Sequence, residues 1–115
     1  PDAMKGLSFL MNWPALREAA ELIVVRRSQL RGGHDDIPLW SSRLAVRYPL
    51  AAVLLTRARA RSLVTLGSGI TEEVQGLIGE AEALASGLND DALVDDHASF
   101  VNELQTLASP RRRRW

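Results

Sequence analysis

The chain has 115 residues, a length that suits one compact domain. Apolar residues make up 46% and charged residues 24%, close to the globular average, which argues against wholesale disorder. The absence of cysteine excludes disulfides, thiolate zinc sites and thiol catalysis. No apolar run approaches the roughly 20 residues of a membrane span, and no signal peptide opens the sequence. We therefore expect a cytoplasmic protein.

The net charge of zero is the sum of opposing blocks. Residues 41–66 carry five arginines and no acid, whereas residues 67–108 carry nine acids and no base. Four arginines then occupy positions 111–114. Such blocks often mark a partner surface. Alternatively, neighbouring basic and acidic helices neutralise each other because adjacent elements usually pack together, and we prefer this interpretation.

The pattern predicts an all-α fold of six helices without a sheet. Pro14, Pro38 and Pro49 fall in predicted first turns, where proline is tolerated. Thr71 is the predicted N-cap of the fifth helix, and Gly87 ends that helix. The predicted helices are about 2–12, 14–31, 38–48, 49–66, 71–87 and 95–108.

The fourth helix is apolar most of the way round through Leu55, so we expect its first half to lie centrally in the core. Two aromatic-proline junctions, at Trp13 and Tyr48, lie 35 residues apart and suggest three antiparallel hairpins in a helical repeat. An irregular bundle remains the alternative. We expect one domain over residues 1–109 and a basic tail over 110–115. The predicted core residues are Leu16, Ile23, Val53, Leu54, Leu77, Ile78, Leu84, Val101 and Leu104.

Two clusters combine histidine with aspartate: His34-Asp35-Asp36 and Asp95-Asp96-His97. Imidazole and carboxylate ligands together suit the ions of metal-dependent hydrolases. Capping and turn roles explain the same residues more simply, so we assign no metal ligand, no cofactor and no catalytic residue. None of the serines lies in a nucleophile elbow. A non-catalytic protein is the preferred interpretation.

Two pairs of arginines, four residues apart, each present two charges on one helix face, a pattern that fits a nucleic-acid backbone. The same side chains could instead meet the acidic helices. The basic tail could hold an acidic partner, and Trp115 would gain by packing on an apolar groove. The candidate contact residues for a protein partner or nucleic acid are Arg43, Arg47, Arg57, Arg61, Arg111, Arg112, Arg113, Arg114 and Trp115.

Three segments stand out before the closing basic run: Leu7-Ser8-Phe9-Leu10-x-x-Trp13-Pro14, Arg47-Tyr48-Pro49-Leu50-Ala51-Ala52-x-Leu54-Leu55-x-Arg57-Ala58 and Asp96-His97-Ala98-Ser99-Phe100-Val101-x-x-Leu104. Together with that basic run, they resemble the C-terminal region of a bacterial family, domain of unknown function 6880. The resemblance implies a bacterial protein, a helical fold and a longer parent chain, which fits the start at Pro1 instead of Met. It supplies no activity, cofactor or catalytic residue. The sequence departs from the family pattern at Pro110 and the four arginines that follow.

From the sequence we expect a helical interaction or structural module of a longer bacterial protein, with no membrane contact. Its partner would be another protein or the remainder of its own parent chain. A nucleic-acid-binding module that uses the arginine face and the tail is the alternative. A metal-dependent hydrolase that uses His34 and His97 is a distant third.

Overall fold

Six α-helices and no strand are formed by the part of the chain that the computed structural model describes, residues 3–13, 15–26, 30, 36–67, 70–87 and 97–108. The predicted all-α fold is therefore confirmed. None of these helices is both long enough and apolar enough to cross a bilayer. The helices are α1 (Ala3–Asn12), α2 (Leu16–Val25), α3 (Ile37–Ala45), α4 (Pro49–Leu66), α5 (Glu72–Ala85) and α6 (His97–Ala108).

The helix starts follow from local chemistry. Pro49 occupies the first turn of α4, where its missing N–H has no intrahelical role. At α5, the Thr71 Oγ1 accepts a hydrogen bond of 3.3 Å from the Val74 N–H, and acidic residues fill the first turn. Both starts lie where the sequence predicts them.

Two helix ends differ from the prediction. Helix α2 ends at Val25 instead of Arg31, directly after three consecutive β-branched residues, Ile23 to Val25. Such side chains lose rotamer freedom in a helix, which lowers its propensity to continue. Helix α3 ends at Ala45, so Tyr48 is not on it. Tyr48 precedes Pro49, whose ring disfavours helical backbone in the residue before it.

Helix α4 is the centre of the fold. It contacts α2, α3, α5 and α6, and the chain neighbours α1 and α2, and α5 and α6, also pack together. All ten residues from 51 to 60 are buried, including Thr56, Arg57 and Arg59. The prediction that this helix lies centrally is confirmed, and its burial extends beyond Leu55 into the arginine block.

The buried side chains form two clusters that share α4. The N-terminal core joins α1, α2 and α3 to the first turns of α4, and Trp40 is its largest buried side chain. The C-terminal core joins α5 and α6 to the second half of α4. It consists of the buried residues Ala60, Val64, Val74, Leu77, Ala81, Phe100 and Leu104.

The predicted core is correct in part. Ile23, Val53, Leu54, Leu77 and Leu104 are buried. The remaining four are only partly buried, and other side chains of the two cores are buried more fully. These partly buried residues are Leu16, Ile78, Leu84 and Val101, and the buried residues that the prediction omitted include Trp40, Phe100, Leu7 and Met11.

Candidate interaction groove

The four arginines predicted as a contact face divide into two environments. Arg43, in α3, and Arg47, directly after it, are exposed. Arg57 is 2% exposed, and Arg61 is only partly exposed. The first pair therefore lies on the surface, as a nucleic-acid contact requires, whereas Arg57 does not.

Arg57 and Arg61 face α6. Their guanidinium carbons lie 5.0 and 5.4 Å from the centroid of the buried Phe100 ring, within cation–π range. The Arg61 Nε also donates a 2.7 Å hydrogen bond to the Glu103 Oε2. These contacts turn the second arginine pair inward, toward the acidic part of the sequence.

A second ion pair joins the basic and acidic blocks. The Arg59 Nη2 lies 3.8 Å from the Glu73 Oε2, which links α4 to α5. With the Arg61–Glu103 pair, both acidic helices thus contact α4 through a carboxylate. Internal neutralisation, the interpretation preferred from the sequence, is present at these two contacts.

Several sequence-predicted residues lie outside the described part of the chain. They include His34, Asp95, Asp96 and the tail from Arg111 to Trp115. The His97 side chain is also outside the description, although its backbone begins α6. Among the residues that are described, no group of three metal-ligating side chains comes together.

A groove of about 500 Å³ lies between α2 and the beginning of α4. Its lining is mostly apolar, and it opens to solvent. The volume falls in the range of ligand-binding clefts. The lining residues are Arg17, Ala20, Glu21, Val24 and Val25 from α2, and Arg47, Tyr48, Pro49, Leu50 and Ala51 from the junction and α4.

Small side chains and a fixed junction create this groove. Ala20 and Ala51 face it from the two helices, and neither fills the space that a larger residue would occupy. The Tyr48 N–H donates a 2.7 Å hydrogen bond to the Leu44 carbonyl, and Pro49 then starts α4. The aromatic-proline junction therefore holds one wall of the groove in place.

The groove combines exposed apolar surface with two basic side chains and one acidic side chain. Val25, at the end of α2, is 80% exposed. Arg17 and Arg47 are exposed on opposite walls, and Glu21 lies one helical turn after Arg17. Within the described residues, no ion pair involves any of these three. The site thus offers an apolar surface, two guanidinium groups and one carboxylate. These groups can bind a ligand through apolar contacts and charged hydrogen bonds.

Sequence reasoning missed this groove although it identified one of its parts. The spacing of the two aromatic-proline junctions suggests a repeat, but it does not show that the Tyr48-Pro49 junction lies against α2. That position is a tertiary feature, so the sequence pattern does not predict the groove. A second apolar surface also went unpredicted: the exposed rings of Phe9 and Trp13, whose centroids are 5.6 Å apart. The β-branched run ending at Val25 was the available signal that α2 stops early and leaves an apolar edge.

Comparison with known proteins gives a family without an assigned activity. No curated protein and no solved structure matches the chain. The model of one family, described as a family of unknown function, matches residues 1–115. That match covers all three segments on which the sequence resemblance rests, so the chain belongs to family DUF6880.

Proposed function

We propose that this protein is a non-catalytic helical interaction module that binds a protein segment in the groove between α2 and α4. The observation that carries the proposal is the apolar groove itself, with Val25 80% exposed at its edge. Exposed apolar surface rimmed by polar residues is a feature of protein interaction sites. The bound segment belongs to another protein or to another part of a longer parent chain.

The fold supports this function because the groove walls are anchored in the N-terminal core. Ala19, Ala20 and Ile23 of α2 are buried, and so is α4 from Ala51 to Ala60. A groove with rigid walls binds with a smaller loss of conformational entropy than a loop does. The α2 and α4 faces are therefore suited to receive a partner without rearrangement.

Site-specific photo-crosslinking tests the proposal in cells that naturally make the protein. A photoreactive residue replaces Val25 at the groove edge or, as a control, the exposed Gln105 of α6. We expect Val25 to yield one defined cross-linked peptide, identified by mass spectrometry, and Gln105 to yield none. The same peptide should disappear when Leu50→Trp fills the opposite wall.

A matched variant separates groove filling from added bulk. Val46→Trp introduces the same ring at a position that is 85% exposed and does not line the groove. We expect the cross-link from position 25 to persist in this variant. A cross-link that survives Leu50→Trp, or the absence of any cross-link from position 25, would show that the groove is not the binding surface.

The nucleic-acid alternative rests on fewer residues than the sequence suggested. Arg57 and Arg61 pack against α6, which leaves Arg43, Arg47 and the tail as its contacts. Binding to mixed-sequence duplex and single-stranded probes at two salt concentrations tests it, with and without residues 110–115. Affinity that falls steeply with salt and is lost on truncation would favour this alternative over the groove.

A further inference from the structure

We infer that the occupant of the groove is an amphipathic helix whose apolar stripe carries acidic residues along both edges. This inference rests on the proposed function and specifies the chemistry of the partner. Its basis is the placement of Arg17 and Arg47 on opposite walls of an apolar groove.

The shape of the groove favours a helix over a small molecule. Small ligands are usually enclosed over most of their surface, whereas this groove is open to solvent. Its α2 wall is a helix of 10 residues, which corresponds to about 15 Å at the rise of an α-helix. A docked helix of similar length would place three turns of apolar side chains against Ala20, Val24 and Leu50.

The charged residues of the groove determine which residues the docked helix carries beside its apolar stripe. Arg17 and Arg47 are both exposed, and neither forms an ion pair with a described residue. A guanidinium group binds carboxylates through two parallel hydrogen bonds, and its aliphatic stem can cover apolar surface. With one arginine on each wall, an acidic residue on each edge of the apolar stripe meets a cation.

Glu21 allows a test in which the direction of the change in affinity is predicted. It lies on the same wall as Arg17, one turn further along α2, and its carboxylate repels an acidic edge. Replacing it with a cation should strengthen binding of the acidic helix, whereas replacing either arginine with an acid should weaken it. A purely apolar occupant would respond to neither change.

A displayed library of amphipathic helical peptides is the probe. The stripe positions vary among apolar residues, and the edge positions vary among Glu, Gln and Lys. Selection against the intact protein should enrich Glu at both edges. Selection against Arg17→Glu combined with Arg47→Glu should enrich Lys, and Arg43→Glu should give the same pool as the unaltered protein. Arg43 is the matched control because it is exposed but does not line the groove.

The affinity of a selected peptide for each variant then measures how much each charged residue contributes to binding. We expect each single arginine reversal to weaken binding about tenfold and Glu21→Lys to tighten it about threefold, effects that higher salt reduces. The Arg43→Glu variant should stay within about twofold of the unaltered protein. Circular dichroism checks that every variant retains its helical content.

Three outcomes would overturn the inference. One is a pool without an acidic preference at the edges, and another is a preference that does not invert with the two reversals. The third is enrichment of no helix at all while dodecanoate, a small anionic amphiphile, binds the groove. The proposed function is tested separately, because the cross-linking result with Leu50→Trp does not depend on the charge at the edges of the bound helix.

Discussion

The two cores that share α4 are both built from apolar side chains, but their surroundings differ. Beside the N-terminal core, the side chains of Phe9, Trp13 and Val25 are exposed. Beside the C-terminal core, arginines of α4 lie against the Phe100 ring or pair with carboxylates of α5 and α6. Neither hydrophobicity nor charge alone therefore predicts which side chains are buried. The half with exposed apolar surface is the half that we propose binds a partner.

The largest expected effect comes from removing the principal ring of either core. Phe100→Ala should lower the free energy of unfolding by about 3–5 kcal/mol, because it leaves a cavity and removes the ring against which Arg57 and Arg61 lie. Trp40→Ala should cost a similar amount in the other core. Urea denaturation followed by circular dichroism measures both.

Hydrogen exchange in the same two variants tests whether the cores act together. If residues 1–109 form one cooperative domain, as the sequence predicts, each substitution should reduce amide protection in both α1 and α6. Protection that falls only in α5 and α6 of the Phe100→Ala variant would contradict the single domain.

A buried hydrogen bond beside the N-terminal core should have the next largest effect. The Thr56 Oγ1 donates to the Ser41 Oγ over 3.1 Å, and both residues are buried. Thr56→Val should destabilise the fold by about 1–2 kcal/mol, since it leaves the serine hydroxyl without this partner. Adding Ser41→Ala should recover part of the loss in a double-mutant cycle. Strict additivity of the two substitutions would show that the hydroxyls do not interact.

Two glycines of α5 offer a gain in stability. A Cβ added at Gly76 or Gly79 meets no atom within 4 Å, and both positions are exposed. Each substitution with alanine should stabilise the protein by about 0.5–1 kcal/mol, because glycine costs backbone entropy in a helix. At Gly67 the new Cβ would lie 2.9 Å from the Leu63 carbonyl oxygen, so alanine should destabilise there. Thermal unfolding of the three variants compares them, and a loss of stability at Gly76 would refute the argument.

The smallest expected effect concerns the ion pair between α4 and α6. The Arg61 and Glu103 side chains are 34% and 42% exposed, so solvent screens their interaction. A double-mutant cycle should give a coupling energy of about 0.2–1 kcal/mol that declines with added salt. A coupling insensitive to salt would indicate that the pair behaves as a buried one.

Periodicity and local chemistry predict the number of helices, although not every helix end. Proline and threonine positions identify the starts of α4 and α5, and the apolar first half of α4 predicts its central place. The charge blocks favour contact between the arginines of α4 and the acidic helices, but they do not predict that Arg57 is buried. That burial depends on the tertiary position of Phe100, whose ring lies against the Arg57 guanidinium.

The groove was beyond sequence reasoning for a related reason. A groove depends on which small residues come opposite each other, and Ala20 and Ala51 are separated by 31 positions in the chain. The length of α2 matters as well, because its end at Val25 leaves an apolar edge that the predicted end at Arg31 did not anticipate. Tertiary placement determines both features.

The continuous burial of α4 from Ala51 to Ala60 limits how the chain can change in length. Both cores pack on this one helix, so the number of residues between Leu55 and Ala60 fixes their relative orientation. One inserted residue would rotate the following side chains by about 100° and move them about 1.5 Å along the axis. Arg57 and Arg61 would then no longer face Phe100. Insertions and deletions among related chains should therefore fall between helices and spare the interior of α4.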